Sequence, residues 1–231
     1  MNIFSGRHIL VVGASGAFGL QFSRQLMAQG AIVSGTAKTA ESSVRLPQEL
    51  GSRLLLDLED SASISALSDY LLTQPSPIDG IILASGLVAF GKIEDTPAEI
   101  TQRLMQVNAL GQFELVQRLL PKLKDSASEG KTPFVVSISG IISESPMAGL
   151  AAYSASKTAL HGFAVSAAKE LAKDGIRWID ARPGHTESGL AGRAIYGLAP
   201  NFGAGKSVTS VVERIIRGIT DNEKDLPSSS F

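Results

Sequence analysis

Apolar residues recur along this chain with two periods, and the alternation between them predicts its elements. His8 to Val12 is a short β-branched run stopped by Gly13, the mark of a buried strand. Ala17 to Gln29 places Phe18, Phe22, Leu26 and Met27 at a helical period, and Gly30 stops it. Ala31 to Ala37 predicts a second strand, and Leu54 to Leu56 a third that ends at Asp57. Ser61 to Leu72 predicts a helix with Ile64, Leu67, Leu71 and Leu72 facing in, and Ile78 to Ala84 a fourth strand. Pro97 to Leu123 holds one long helix or two, with Ile100, Leu104, Val107, Phe113, Val116 and Leu120 on a shared stripe. Lys124 to Lys131 is polar and reads as a surface loop. Phe134 to Ile138 is a fifth strand, Ala151 to Lys173 a helix, Ile176 to Ala181 a sixth strand and Val208 to Ile219 a last helix. Ser228 to Phe231 adds one short strand.

Strands alternating with helices at this spacing predict an α/β fold: a doubly wound, Rossmann-like parallel sheet with helices on both faces, three layers deep. Neither a linker nor an internal repeat interrupts the 231 residues, so one domain over 1–231 is the economical reading. Hydrophobic residues make up 44%, enough for a sizeable core. Charge adds little: 21 basic residues against 22 acidic ones imply no polyanionic partner, so no nucleic acid. No apolar run is long enough to span a bilayer, which implies no membrane partner, and Met1 to His8 lacks the regions of a signal peptide. The absence of Cys excludes thiolate chemistry and fits a cytoplasmic protein. Three His without metal-ligand spacing give no metal site.

Two stretches carry candidate chemistry. In Tyr153-Ser154-Ala155-Ser156-Lys157 the Tyr and Lys leave one face of a helix, one turn apart. An ammonium there favours the phenolate and is expected to lower the Tyr pKa. A Tyr so placed gives a proton to a developing alkoxide or takes one from an alcohol. The bland alternative is an exposed Tyr and a solvated Lys. The second stretch, Gly13-Ala14-Ser15-Gly16-Ala17-Phe18-Gly19, follows the first strand and opens the first helix. In that context glycines let the backbone approach a dinucleotide, and the helix N-terminus faces its pyrophosphate. At the end of the second strand Lys38 stands where an acid would bind the ribose hydroxyl of NAD. A basic residue suits the 2′-phosphate of NADP(H), with Thr36 as a second donor, so NADP(H) is preferred and NAD(H) possible.

These motifs in this order resemble the short-chain dehydrogenase/reductase family in its compact single-domain form, from about Ser5 to Gly218. Gly13 to Gly19 is similar to that family's T-G-x-x-x-G-x-G, with Val12 for Thr and Ala17 for the middle Gly. The resemblance implies that Gly13, Ser15, Gly16, Ala17, Phe18 and Gly19 cradle the cofactor, and that Asp57 and Leu58 meet its adenine ring. It further implies that Ala84, Ser85 and Gly86 lie beside the cofactor, and that Pro183, Gly184, Thr186 and Ser188 hold the nicotinamide end. Asn108 matches the family's helix Asn, which holds a water in a proton relay. Tyr153 and Lys157 match its Y-x-x-x-K, both touching cofactor. The implied activity is hydride transfer between NADPH and a small ketone or aldehyde, or an alcohol in reverse. Tyr153 is then the acid, and Lys157 holds the nicotinamide ribose.

Two departures stand out. The family's N-N-A-G is Leu83-Ala84-Ser85-Gly86 here, which removes Asn side chains that brace the sheet. The family's catalytic Ser falls on Gly140. Ser139 is the first choice for the missing hydroxyl and Ser143 the second, with loss of the donor as the third possibility. Substrate contacts are expected from Leu87 to Glu94, from Ser143 to Leu150 and from the Gly- and Ala-rich stretch Gly189 to Gly205, a mobile lid. The resemblance implies a homodimer or homotetramer in which Pro97–Leu123 and Ala151–Lys173 pair with their symmetry mates. The rival reading is a non-catalytic dinucleotide-binding sensor or structural protein, consistent with the changes at Leu83, Ala84 and Gly140.

Overall fold

The computed structural model describes residues 3–231, so Met1 and Asn2, the start of the segment read for a signal peptide, lie outside the described residues. The strands are β1 (His8–Val12), β2 (Ile32–Ala37), β3 (Ser52–Leu55), β4 (Gly80–Leu83), β5 (Phe134–Ile138) and β6 (Arg177–Ala181). They form one six-stranded sheet in the order β3-β2-β1-β4-β5-β6, and every pair is parallel. The helices are α1 (Ala17–Ala28), α2 (Ala40–Ser43), α3 (Ser61–Thr73), α4 (Ala98–Met105), α5 (Gly111–Ser128), α6 (Ala151–Leu171) and α7 (Val208–Thr220).

The apolar runs explain the layers. Side chains alternate across a strand, so Ile9 and Val11 leave one face of β1 while Leu10 and Val12 leave the other. Ile9, Val11, Ile82 and Val136 pack with α1 and α7 through Phe22, Leu26, Val212 and Ile215. Leu10, Val12, Ile81 and Val135 pack with α3, α5 and α6 through Ile64, Leu115, Leu119 and Ala164. Both faces are therefore dry, and burial of each large side chain contributes ~1.5–3 kcal/mol. The strand order reverses between β1 and β4. At that switch point the carboxyl ends of neighbouring strands open a crevice, where such sheets bind ligands.

Several boundaries depart from the pattern. The third strand begins at Ser52, two residues before the apolar run, because Ser52 and Arg53 pair with Ser34 and Gly35. The segment Pro97–Leu123 is two α-helices joined by a π-helical turn, Gln106–Leu110. Helix α5 then continues to Ser128, through the first half of the expected loop. Its polar end is anchored from inside: Ser126 donates to buried Asp79 Oδ1 at 2.6 Å. The short helix α2 was not visible as a period; Thr39 and Ser42 cap it reciprocally. Ser228–Ser230 is a single 3-10 turn where a strand was expected. The chain instead covers the free edge of β6 two residues earlier, at Leu226, which exchanges backbone bonds with Asp180 (3.1 Å) and Arg182 (2.9 Å).

Asp79 ties three elements at the end of the sheet away from the crevice. It accepts from the His8 N–H (2.8 Å), from Ser126 and from Lys131 Nζ (3.0 Å). Asp79→Ala orphans a buried amide and costs ~3 kcal/mol or more. The expected result is a thermal midpoint lower by roughly 10 °C, read by calorimetry, with nucleotide affinity unchanged.

Candidate active site

The turn after β1 is shaped by contact. Gly13 adopts φ +79°, and a Cβ there would stand 2.4 Å from Ser85 Oγ. At Gly19 a Cβ would stand 2.2 Å from the Gly13 carbonyl oxygen, so only glycine lets α1 seat against the turn. Ser15, Gly16, Ala17 and Phe18 line the main cavity together with Gly13. Gly19 does not line it and packs closely behind the turn. Gly16 caps α1 with no side-chain hydrogen bond, and no acidic residue occupies the first turn. The free N–H groups and positive dipole end of this twelve-residue helix therefore face the crevice.

At one end of the cavity stand Thr36, Lys38, Arg45, Asp57, Leu58 and Glu59. Thr36 is buried and its Oγ1 accepts from the Gly13 N–H at 2.9 Å, which ties β2 to the glycine turn. Lys38 Nζ lies 3.2 Å from Asp57 Oδ1 and also binds Glu59. The Arg103 guanidinium, with Lys38 beside it, holds the Glu59 carboxyl down at about 2. Lys38 is thus an occupied cation. Arg45, exposed on the segment after α2, was not singled out in the sequence. A basic residue between β2 and β3, close after Lys38, was the signal that marks it.

Ala84, Ser85 and Gly86 form the cavity floor beyond β4. Asn108 sits on the π turn, fully buried. Its Nδ2 donates to the Leu87 carbonyl and to Ser156 Oγ, both at 2.9 Å, and its Oδ1 accepts from the Leu87 N–H at 2.8 Å. Both amide hydrogens are therefore committed. Asn108 braces the segment after β4, together with Gln112, which donates to the Ser85 carbonyl at 3.1 Å. These two supply bracing that the sequence Leu83-Ala84-Ser85-Gly86 was expected to lack.

Tyr153 and Lys157 line the same cavity from α6. Lys157 is buried, and its Nζ donates to the Ile138 carbonyl at 2.7 Å. Burial pushes the Tyr153 phenol up to about 12, the opposite of the lowering expected from a neighbouring ammonium. Loss of water is the cause, and the Lys157 ammonium is turned to a backbone carbonyl. Burial also lowers Lys157 to about 8, partly offset by the charge of Asp180.

Neither serine near Gly140 offers its proton to the cavity. Ser139 is fully buried and donates to Asp180 Oδ2 at 2.5 Å. Ser143 donates to the Gly140 carbonyl at 2.8 Å or to Ser139 Oγ at 3.1 Å. The period of two decides this: Ser139 shares the face of Ser137, which also binds Asp180. Ser139, the first choice for the missing hydroxyl, lines the cavity with its proton committed to Asp180. Gly140 itself has φ +75°, a conformation that strains any L side chain.

Beyond Gly140 the wall is formed by Pro183, Gly184, Thr186 and Ser188. The Pro183 carbonyl accepts from Ile141 N–H at 2.9 Å, and Thr186 donates to the Gly184 carbonyl at 2.9 Å. Ser188 Oγ faces the Leu190 N–H at 3.4 Å. The remaining wall is mostly apolar, with Val88, Phe90, Ile142, Met147, Leu150 and Phe202 prominent in it beside His185 and Arg193. All three stretches expected to meet substrate contribute to it. Ile141, Ile142 and His185 were missed; an apolar pair directly after Gly140 was the available signal. The cavity measures about 560 Å³.

A doubly wound parallel sheet with a glycine turn at its switch point, and a Tyr and Lys lining the same cavity, is the arrangement of a dinucleotide-dependent oxidoreductase. The sequence profile of the short chain dehydrogenase family matches residues 7–195, and the chain belongs to that family. It is an NAD(P)-dependent oxidoreductase. Benzil reductase ((S)-benzoin forming) of Saccharomyces cerevisiae is 32% identical over 190 residues, covering 78% of this chain and 71% of that one. The cyclic-di-GMP-binding biofilm dispersal mediator protein of Escherichia coli is 28% identical, over 80% of this chain and 75% of its own length. In fold, the chain matches 3-ketoacyl-(acyl-carrier-protein) reductase from Brucella melitensis, solved with NADH. The TM-score is 0.86 at 20% identity, over 97% of each chain.

Gly19→Ala tests the seating of α1. The added methyl meets backbone, so the turn must shift at a cost of ~1–3 kcal/mol. The thermal midpoint is expected to fall by several degrees, and NADPH to bind about tenfold more weakly or worse in a fluorescence titration.

Proposed function

We propose that the protein is an NADPH-preferring reductase of apolar ketones or aldehydes, working as one dinucleotide-binding unit over 1–231. The observation that carries this reading is that the glycine turn, the Tyr153–Lys157 pair and an apolar wall all line one cavity. The donor set fits a dinucleotide: uncapped first-turn N–H groups and a turn with no Cβ in the way suit its pyrophosphate. When bound, the nicotinamide coenzyme supplies the hydride. Gly13, Ser15, Gly16, Ala17 and Phe18 would hold its phosphates, Asp57 and Leu58 would border its adenine, and Pro183, Gly184, Thr186 and Ser188 its nicotinamide.

The chain's own residues manage the proton and the position of the carbonyl. A phenol near 12 is fully protonated at neutral pH. Tyr153 therefore carries the proton that a developing alkoxide accepts. Lys157, charged below about 8, stabilises negative charge developing beside Tyr153. With both amide hydrogens of Asn108 committed, its part is to fix the floor on which Gly86 and Leu87 sit. Without a serine donor, Tyr153 directs the carbonyl alone. The apolar wall favours uncharged, bulky substrates, and the similarity to a benzil reductase is in keeping with this.

The second reading, a non-catalytic nucleotide binder, draws on Gly140 in place of a hydroxyl donor and on the similarity to a cyclic-di-GMP-binding protein. NADPH consumption with benzil and related aryl ketones separates the two. Turnover supports the reductase; NADPH binding without turnover of any carbonyl in the panel supports the binder. Among the described residues no helix is long and apolar enough to cross a membrane, and we read the site of action as cytoplasmic.

Three outcomes follow from this reading. Tyr153→Phe is expected to lose ~10²-fold or more in kcat while binding NADPH normally. For the wild type, kcat/KM for NADPH reports the free enzyme. It should be level below about 8 and fall as pH rises through that value, because Lys157 then loses its proton. A profile that rises there contradicts the role given to Lys157. NADPH is expected to bind at least about tenfold more tightly than NADH, with Lys38 leaving Asp57 and Glu59 for the 2′-phosphate and Arg45 adding a second charge. Calorimetric titration of Lys38→Ala and Arg45→Ala should show that preference shrink, and equal affinities in the wild type would end the claim.

A homodimer completes the reading. Leu110 on the π turn is 49% exposed and Val165 on α6 is 40% exposed, and Phe113 and Phe163 stack between α5 and α6 (centroids 3.8 Å apart). Exposed apolar residues on these helices suit a partner helix pair. Sedimentation at micromolar concentration should give twice the chain mass, and a monomer refutes the pairing.

A further inference from the structure

The mechanism above leaves unused a buried polar cluster behind β5. Asp180 on β6 is 3% exposed and lies opposite Ser137 in the sheet. Its Oδ1 accepts from Ser137 Oγ and its Oδ2 from Ser139 Oγ, each at 2.5 Å. His161 Nδ1 stands 2.8 Å from the same Oδ2. Arg182 Nη1 stands 3.2 Å from it, and Arg182 also pairs with Glu144 and with Asp225.

The placement of these bonds is informative. Ser137 and Ser139 flank Ile138, whose carbonyl receives the Lys157 ammonium. One carboxylate therefore grips the strand on both sides of the residue that anchors Lys157. On α6, Tyr153, Lys157 and His161 follow at four-residue steps along one face. His161 thus closes the grip from the helix side, one turn beyond Lys157. We propose that Asp180 is a positioning residue for the reaction: through Ser137, Ser139 and His161 it fixes the Ile138 carbonyl, and its charge holds Lys157 as the ammonium. The proposal rests on the reading of Tyr153 and Lys157 as the reacting pair.

The titratable and charged groups around the pair are Tyr153 and His161 on α6, Asp180 on β6, Arg182 just after it, and Glu144 and Asp225 on the segments that cover Arg182. Arg182 neutralises part of Asp180, but two further carboxylates share Arg182, so Asp180 keeps charge to offer Lys157. Burial draws Lys157 down to about 8 even though the Asp180 charge opposes it. Without that charge Lys157 would release its proton within the physiological range.

Asp180→Asn keeps the shape and removes the charge. Titration of the Lys157 side chain by NMR in the cofactor-free protein, assigned by its loss in Lys157→Arg, reads the effect without turnover. The expected result is a proton affinity about tenfold lower or more, the scale of a close opposite charge. The alkaline limb of kcat/KM for NADPH should move down in pH by the same amount. A folded Asp180→Asn protein in which Lys157 titrates as in the wild type overturns the proposal. Because the titration needs no substrate, it can fail while the reductase reading stands, and the reverse holds for the carbonyl panel. If Asp180→Asn does not fold, Ser137→Ala decides. Ser137 lies outside the cavity lining, so its loss should lower kcat about tenfold with KM unchanged by loosening Ile138. Full kcat in Ser137→Ala overturns the positioning role.

Discussion

Lys157 donates its ammonium hydrogen to the Ile138 carbonyl at 2.7 Å, and the site is built on that bond. It fastens the middle of α6 to the last residue of β5, and so sets where Tyr153 stands relative to the crevice. The bond is possible because β5 ends there. Gly140 turns the chain at φ +75°, and the Gly140 and Ile141 N–H groups bind the carbonyls of Ala181 and Pro183. The strand end, the catalytic helix and the segment after β6 are thereby locked together. A buried ammonium with a single backbone acceptor is costly, and the nearby Asp180 carboxylate offsets part of that cost.

Burial, more than charge pairing, tunes the pair. In water a Lys one turn from a Tyr would favour the phenolate. Here loss of solvent acts on both groups in opposite directions, raising the phenol and lowering the ammonium. The consequence is a neutral phenol beside a weakened ammonium. The other end of the cavity is governed by competition. Lys38 is already shared between Asp57 and Glu59, so an incoming anion has to displace carboxylates rather than meet a free cation. That exchange keeps Lys38 placed before ligand arrives and limits the gain on binding.

Much of the fold was legible because the pattern of apolar residues follows from geometry. Six short apolar runs separated by helical periods leave few arrangements other than a parallel sheet covered on both faces. The parts that were not legible depend on contacts between distant residues. Nothing local in Lys124 to Ser128 reveals that Ser126 reaches Asp79 and extends α5. Nothing local at Gly19 distinguishes a glycine that touches ligand from one that packs behind the turn. The same holds at the site. Tyr153, Lys157 and the glycine turn could be placed from spacing, because helix and strand geometry carry them. The orientation of Ser139 depended on one count along a strand and on a carboxylate forty-one residues away. The direction of the Tyr153 shift depended on how much water the folded chain leaves around it.

The central claim is that Lys157 and Tyr153 act together at one preformed cavity that reduces a carbonyl. Single-turnover oxidation of bound NADPH by an aryl ketone, compared between wild type and Lys157→Met, tests it most directly. The account predicts a hydride-transfer rate lower by ~10²-fold or more in Lys157→Met, with the protein folded and still binding nucleotide. A Lys157→Met protein that oxidises NADPH at the wild-type rate would contradict it.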